Sequence, residues 1–126
     1  MKVLKFGGTS IGSPQRMKNV LEIINDEKNI IVVLSAMSGT TDKLINIAGL
    51  LHGGNKKEAS MKADILGEEY IKLIPEIYDT NKYQKEAESV INSHIGYLRS
   101  FTLKEFSKKQ EKAILAQGEL MSTALF

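Results

Sequence analysis

Hydrophobic positions at the start of the chain follow first a strand pattern, then a helix pattern, then a second strand pattern. Val3–Phe6 is a short apolar stretch that runs into two glycines, which predicts a strand followed by a turn. Ser13 and Pro14 form a helix-start pair. Apolar residues then recur at helical spacing, at Met17, Val20, Leu21 and Ile24. Ile30–Leu34 is apolar on both faces, as in a parallel strand that is covered on two sides. The unit is therefore a right-handed β-α-β crossover.

The remaining pattern is mainly helical. Residues 35–42 are small and hydroxylated, and they lead into a helix that we expect to begin near Asp42. After a polar break at His52–Lys57, the spacing of apolar residues predicts two long helices, the first ending or kinking at Pro75. A last helix follows one of two competing capping boxes, which are Thr102 with Glu105 and Ser107 with Gln110. The fold class is α/β.

The end of the chain interrupts a regular pattern. Residues 121–126 continue the apolar periodicity of the last helix with no glycine, proline or basic last turn to end it. Only two strands are predicted, whereas a parallel sheet needs several strands to bury them on both faces. We therefore expect the chain to be part of a larger domain. We also expect its incomplete sheet to expose apolar surface that promotes homo-oligomerisation.

Composition excludes several classes of function. The 126 residues are 42% hydrophobic and 25% charged, with a net charge of +2, which is typical of one soluble domain. This small charge predicts no nucleic-acid partner and no anionic membrane partner, so a small molecule or a protein is expected. The absence of cysteine excludes disulfides and thiolate chemistry. The chain also lacks a signal-peptide core and an apolar run long enough to span a membrane, so a cytoplasmic location is expected.

The glycine turn after the first strand is the first candidate site. Gly7-Gly8-Thr9-Ser10 lies between a strand and a helix, where backbone N–H groups and the helix dipole favour an anion. The glycines fit neither the P-loop nor the dinucleotide-binding motif. Lys5 precedes the turn and could offset the charge of a phosphoryl group. Alternatively, the glycines only make a tight turn and Lys5 is a solvated residue.

Hydroxyl groups after the second strand form the second candidate site. The β-α-β geometry brings this segment close to the glycine turn, so that both loops would share one crevice. The residues concerned are Ser35, Ser38, Thr40 and Thr41. On propensity alone, the favoured alternative is that these residues only cap the next helix.

Glu119 follows Gly118 inside a helical pattern, where glycine is unfavourable unless close packing requires it. Its carboxylate could contact a cationic ligand, although periodicity alone favours a solvated position. His52 and His94 have no partners at metal-ligand spacing, so we expect both to be surface or half-buried helix residues and expect no metal site.

Three segments together resemble the aspartokinases of the amino-acid kinase family. They are Lys5–Ser10 (KFGGTS), Val33–Asp42 (VLSAMSGTTD) and Gln117–Thr123 (QGELMST). The resemblance implies a partial amino-acid kinase fold, with a parallel β-α-β sheet core and a mainly helical insertion. It divides the chain into a β-α-β-α core at 1–57, an insertion at 58–112 and the start of a core helix at 113–126. The family's nucleotide-binding lobe and ACT domains are absent from these residues.

The resemblance also implies an activity, the transfer of the γ-phosphoryl group of ATP to the side-chain carboxylate of L-aspartate. This is the first step toward lysine, threonine and methionine. Lys5 would steady the transferring group, Glu119 would pair with the α-ammonium of aspartate, and Mg²⁺ would be bound by parts of the family that lie outside these residues. The residues implied are Lys5, Gly7, Gly8 and Ser10 for ATP, and Ser35, Thr41 and Glu119 for aspartate. We expect the 126 residues alone to be inactive.

Two other functions remain open at this point. One is a different amino-acid kinase, such as the acetylglutamate type, which the Glu119 segment and the SAMSGTTD loop disfavour. The other is a non-catalytic module that binds a partner chain through its exposed helical faces.

Overall fold

The computed structural model describes all residues, 1–126, as a mixed α/β chain with two strands and five α-helices. A single 3-10 turn, Phe101–Leu103, separates the last two helices. The elements in chain order are β1 (Lys2–Phe6), α1 (Pro14–Ile24), β2 (Ile30–Leu34), α2 (Thr40–His52), α3 (Lys56–Ile77), α4 (Asn81–Ser100) and α5 (Lys108–Leu125).

The predicted β-α-β unit is confirmed. The strands are parallel, with Lys2 opposite Ile30 and Phe6 opposite Leu34. Ser13 is the N-cap of α1, and its Oγ accepts a hydrogen bond from the Arg16 N–H at 3.3 Å. This cap satisfies one of the backbone donors that have no partner at a helix start. The unit therefore follows directly from the local sequence.

The prediction that the second strand is covered on both sides is wrong for this chain. Phe6, Val32 and Leu34 pack against the helical core on one side of the sheet. On the other side, Ile31 is 45% exposed and Val33 is 41% exposed. The two-stranded sheet has helices on one face only, so alternate residues of each strand face outward. The expected exposed apolar surface is thus present.

The helices pack around one core with small changes from the predicted bounds. α2 begins at Thr40 rather than near Asp42, and the break after it is shorter than predicted, because α3 starts at Lys56. Pro75 lies in the last turn of α3, which ends at Ile77. Of the two competing capping boxes, the later one is present: the Ser107 N–H donates to Gln110 Oε1 at 2.8 Å.

α5 returns the chain to the sheet. It contacts α2, α4 and the end of β2, and its buried residues include Ile114, Met121 and Leu125. It begins at Lys108, so it crosses the expected division at 112/113, and the boundary between core and insertion stays a prediction. None of the helices combines the length and apolarity needed to cross a membrane.

Candidate functional site

The glycine turn (residues 7–10) and the hydroxyl loop (residues 35–41, the last two of which begin α2) are in direct contact, as the β-α-β geometry predicts. The Ser35 N–H donates to the Phe6 carbonyl at 3.0 Å, and the Ser38 N–H donates to the Gly8 carbonyl at 3.3 Å. A Cβ atom on Gly8 would lie only 2.5 Å from the Ala36 carbonyl oxygen. Glycine is therefore required at this position for the two loops to approach each other.

The glycine turn is held on its other side by the first turn of α1. The Ser10 N–H donates to the Gly7 carbonyl at 3.0 Å, which closes the turn. Arg16 Nη1 donates to the Thr9 carbonyl at 2.7 Å. Arg16 thus brings a second positive charge beside the turn, which was not predicted from the sequence. No pattern would have found it, because an exposed arginine in a first helical turn is ordinary.

Lys5 is exposed and forms no ion pair within the chain. It lies opposite Val33 in the sheet register, on the face that no helix covers. Its ammonium group is therefore free for an external anion. This placement agrees with both readings of the sequence, a phosphate contact and a solvated residue, so its role stays a prediction.

The hydroxyl loop does not cap α2. The N-cap is Gly39, which has a left-handed φ of 82° and makes no side-chain cap hydrogen bond. The alternative that these hydroxyls serve as helix caps is therefore wrong. Thr41 is exposed, Ser35 is half-buried, and Thr40 is buried.

α5 packs closely against this same loop. A Cβ atom on Gly118 would lie 2.7 Å from the Ala36 Cβ and 3.3 Å from Leu44 Cδ1. One turn later, Ser122 Oγ donates to the Ser35 carbonyl at 2.7 Å, and Ser122 is completely buried. The close contact explains the glycine within the helix. Glu119, next to Gly118, is exposed and forms no ion pair within the chain.

A buried pair of hydroxyl groups links the loop to α3. Thr40 Oγ1 and the Tyr70 hydroxyl are 2.8 Å apart, and each residue is only 3% exposed. Burial raises the pKa of the Tyr70 phenol, and the hydrogen bond with Thr40 partly opposes this shift. This pair was not predicted, because in the sequence Tyr70 is one apolar position among several in its helix.

The histidines take part in ordinary helix contacts. His52 Nε2 lies 3.1 Å from Glu111 Oε2, and His94 Nδ1 lies 2.7 Å from Gln117 Oε1. The chain contains no group of three or more His, Cys, Asp or Glu side chains that could hold a metal ion.

Three sequence-predicted groups therefore converge. They are the glycine turn, which carries Gly7, Gly8 and Ser10, the hydroxyl loop, which carries Ser35 and Thr41, and the Gly118–Ser122 turn of α5, which carries Glu119. The contacts that join these segments are made by Gly8, Ser35, Ala36, Gly118 and Ser122. Lys5 comes one residue before the end of the strand that feeds the glycine turn. The binding roles of these residues stay predictions.

Comparison with known proteins identifies the family. The sequence profile of the amino acid kinase family matches residues 1–126. Aspartokinase 2, chloroplastic, of Arabidopsis thaliana is 33% identical over 98% of this chain and 23% of its own length. Lysine-sensitive aspartokinase 3 of Escherichia coli is 30% identical over 98% of this chain and 27% of its own length.

Solved structures agree with this result. Aspartokinase III of E. coli in complex with aspartate and ADP is similar over 99% of this chain, with a TM-score of 0.73 and 29% identity. The same protein in complex with lysine and aspartate gives a TM-score of 0.73. The chain spans 27% of that protein and about a quarter of the other relatives. The sequence profile and these structures together show that the chain belongs to the amino acid kinase family and has aspartokinases among its relatives.

Proposed function

We propose that these residues form the phosphoryl-transfer and aspartate-binding part of an ATP-dependent aspartate kinase. The observation that carries the proposal is the convergence of the glycine turn, the hydroxyl loop and α5 around Ala36. Every contact in this convergence involves a residue of one of the three segments that resemble aspartokinases. A relative, aspartokinase III of E. coli, has been solved with aspartate and ADP, which supports the same ligand pair here.

The reaction joins two anions, so charge is the main obstacle. One oxygen of the aspartate side-chain carboxylate would attack the γ-phosphorus of ATP, while the bond from that phosphorus to the β,γ-bridging oxygen breaks. The products are aspartyl phosphate and ADP. Catalysis of this step consists mainly of positioning and electrostatic stabilisation. A site for it needs fixed positive charge and N–H donors next to a carboxylate-binding region.

The chain offers candidate residues for both requirements. Lys5 provides an unpaired ammonium group, and Gly7, Gly8 and Ser10 provide the turn whose N–H and hydroxyl donors would meet phosphate oxygens. On the aspartate side, Thr41 offers an exposed hydroxyl.

Glu119 offers an unpaired carboxylate that would bind the α-ammonium group of aspartate. Ser35 would lie close to the reacting groups, because its backbone bonds with Phe6, just before the glycine turn, and with Ser122 of α5. Magnesium would accompany ATP in such a reaction. We expect its protein ligands to lie outside these residues, which contain no group of three or more His, Cys, Asp or Glu side chains that could hold a metal ion.

Lys5→Met in the complete polypeptide that carries these residues tests the phosphoryl-transfer role. Removing the charge should lower aspartate-dependent ADP formation by at least about 100-fold. The melting temperature should change little, because Lys5 is exposed and forms no ion pair. Lys2→Met is the matched control, since Lys2 lies on the same strand and its amine is paired with Glu27 at 2.7 Å. Activity that survives Lys5→Met would show that Lys5 has no such role.

Glu119→Gln tests the aspartate contact. Losing a charge-assisted hydrogen bond costs about 1.5–3 kcal/mol, so the KM for aspartate should rise by roughly 10-fold or more. The KM for ATP should stay the same. Glu105→Gln is the control, because Glu105 is an exposed carboxylate between the 3-10 turn and α5. An unchanged aspartate KM in Glu119→Gln would argue against the contact.

A further inference from the structure

Thr40 occupies the one buried position at the start of α2, between two other helices. Its hydroxyl meets the Tyr70 hydroxyl of α3 at 2.8 Å. Its methyl group lies on the side of α5, since a Cβ on Gly118 would be 3.4 Å from Thr40 Cγ2. Thr41 follows Thr40 on α2, and Glu119 follows Gly118 on α5. Both of these neighbouring residues are exposed.

The hydrogen bond fixes the start of α2 in a way that its own cap does not. Gly39 makes no side-chain cap, so the first turn of α2 has no local side chain to hold it. The Thr40–Tyr70 bond is completely inside the protein, where a broken hydrogen bond leaves a hydroxyl without a water partner. The bond therefore has one strongly preferred geometry, and that geometry sets the rotation of the first turn that carries Thr41.

We propose that Tyr70 is a positioning residue for the amino-acid substrate, acting through Thr40 to hold the Thr41 hydroxyl at a fixed distance from Glu119. This inference rests on the proposed function, because it assigns Thr41 and Glu119 to aspartate. It gives α3 a role in substrate recognition, although α3 contributes no residue that touches the substrate.

The test is Tyr70→Phe in the complete polypeptide, with steady-state kinetics for aspartate and for ATP measured separately. The substitution keeps the aromatic ring in the core and removes only the hydroxyl. We expect the aspartate KM to rise by about fivefold or more, which corresponds to the loss of about one hydrogen bond. The ATP KM and kcat should stay within about twofold, because the Tyr70 hydroxyl bonds with Thr40 and makes no hydrogen bond with the glycine turn.

Thr40→Val removes the same hydrogen bond from the other side and provides a second measurement if Tyr70→Phe does not fold. In a double-mutant cycle, the two changes should be strongly non-additive. The aspartate KM of the double variant should be no higher than that of the more impaired single variant. Tyr83→Phe is the matched control, because the Tyr83 side chain is exposed.

The outcomes separate the inference from the proposed function. A wild-type protein with no aspartate-dependent turnover would refute the proposed function and the inference with it. An active wild type with an unchanged aspartate KM in Tyr70→Phe would overturn the inference alone. A fall in kcat with both KM values unchanged would also overturn it, since that result reports fewer folded molecules rather than a displaced Thr41.

Discussion

Gly118→Ala should test the packing of α5 against the hydroxyl loop. In an open helix position, replacing glycine by alanine stabilises a protein by about 1 kcal/mol. Here the new Cβ would lie 2.7 Å from the Ala36 Cβ, 3.3 Å from Leu44 Cδ1 and 3.4 Å from Thr40 Cγ2. The nearest of these atoms is the first atom of its side chain, so it cannot move away by rotation about χ1.

The two effects have opposite signs, and the contact should win. Overpacking a core costs about 1–3 kcal/mol, and the rigid neighbour places Gly118→Ala near the upper end of that range. Subtracting the gain in helix propensity leaves a net destabilisation of about 2 kcal/mol. For a chain of this size, that loss lowers the melting temperature by roughly 6–8 °C.

Urea unfolding of the purified chain, followed by circular dichroism, provides the measurement. Gly96→Ala is the matched control, because Gly96 lies inside α4 and a Cβ there would meet nothing within 4 Å. The control should gain up to about 1 kcal/mol. If the free energy of unfolding of Gly118→Ala equals that of the wild type or of Gly96→Ala, α5 does not pack against the hydroxyl loop as closely as described.

Three further predictions follow from the described contacts. The exposed sheet face should make the 126-residue chain self-associate, and Val33→Lys should reduce the mass seen by light scattering; a monomeric wild type would contradict this. Burial raises the pKa of Tyr70 in the folded state, so its contribution to stability is full below pH 10.0 and is lost as the pH rises through the folded pKa. Unfolding free energies should therefore fall above about pH 10, and less steeply in Tyr70→Phe. Gln110→Ala should cost about 0.5–1 kcal/mol by removing the capping bond to the Ser107 N–H, which thermal melts would detect.

Local sequence determined the β-α-β unit because every part of it is coded by neighbouring residues. Ser13 and Pro14 specify the start of α1, and the β-branched run at Ile30–Leu34 specifies β2 with its observed bounds. The burial of the sheet could not be predicted in the same way. The strand Ile30–Leu34 is apolar on both faces, but the local pattern does not show whether other elements cover the second face, where Val33 lies exposed.

The contacts of the candidate site likewise include some that the sequence predicts and some that it does not. The meeting of the glycine turn and the hydroxyl loop follows from parallel strand order, since both loops leave the same edge of the sheet. The contacts of Arg16 with the Thr9 carbonyl and of Tyr70 with Thr40 could not be predicted, because each joins residues whose local patterns indicate only a helix surface or a core position. The helix start at Gly39 was missed because a glycine N-cap has no side chain to mark it.

The α5 segment shows why small residues at a site are difficult to interpret from sequence. Gly118 and Ser122 are four residues apart, so they share one face of the helix, and both are buried against the hydroxyl loop. A hydrophobic periodicity counts neither residue as apolar, so it does not mark either position as buried. A larger residue at either position would separate the α5 backbone from Ala36, and Glu119 would move with it. The position of the α5 backbone at Glu119 relative to the hydroxyl loop thus depends on two small, uncharged residues, Gly118 and Ser122.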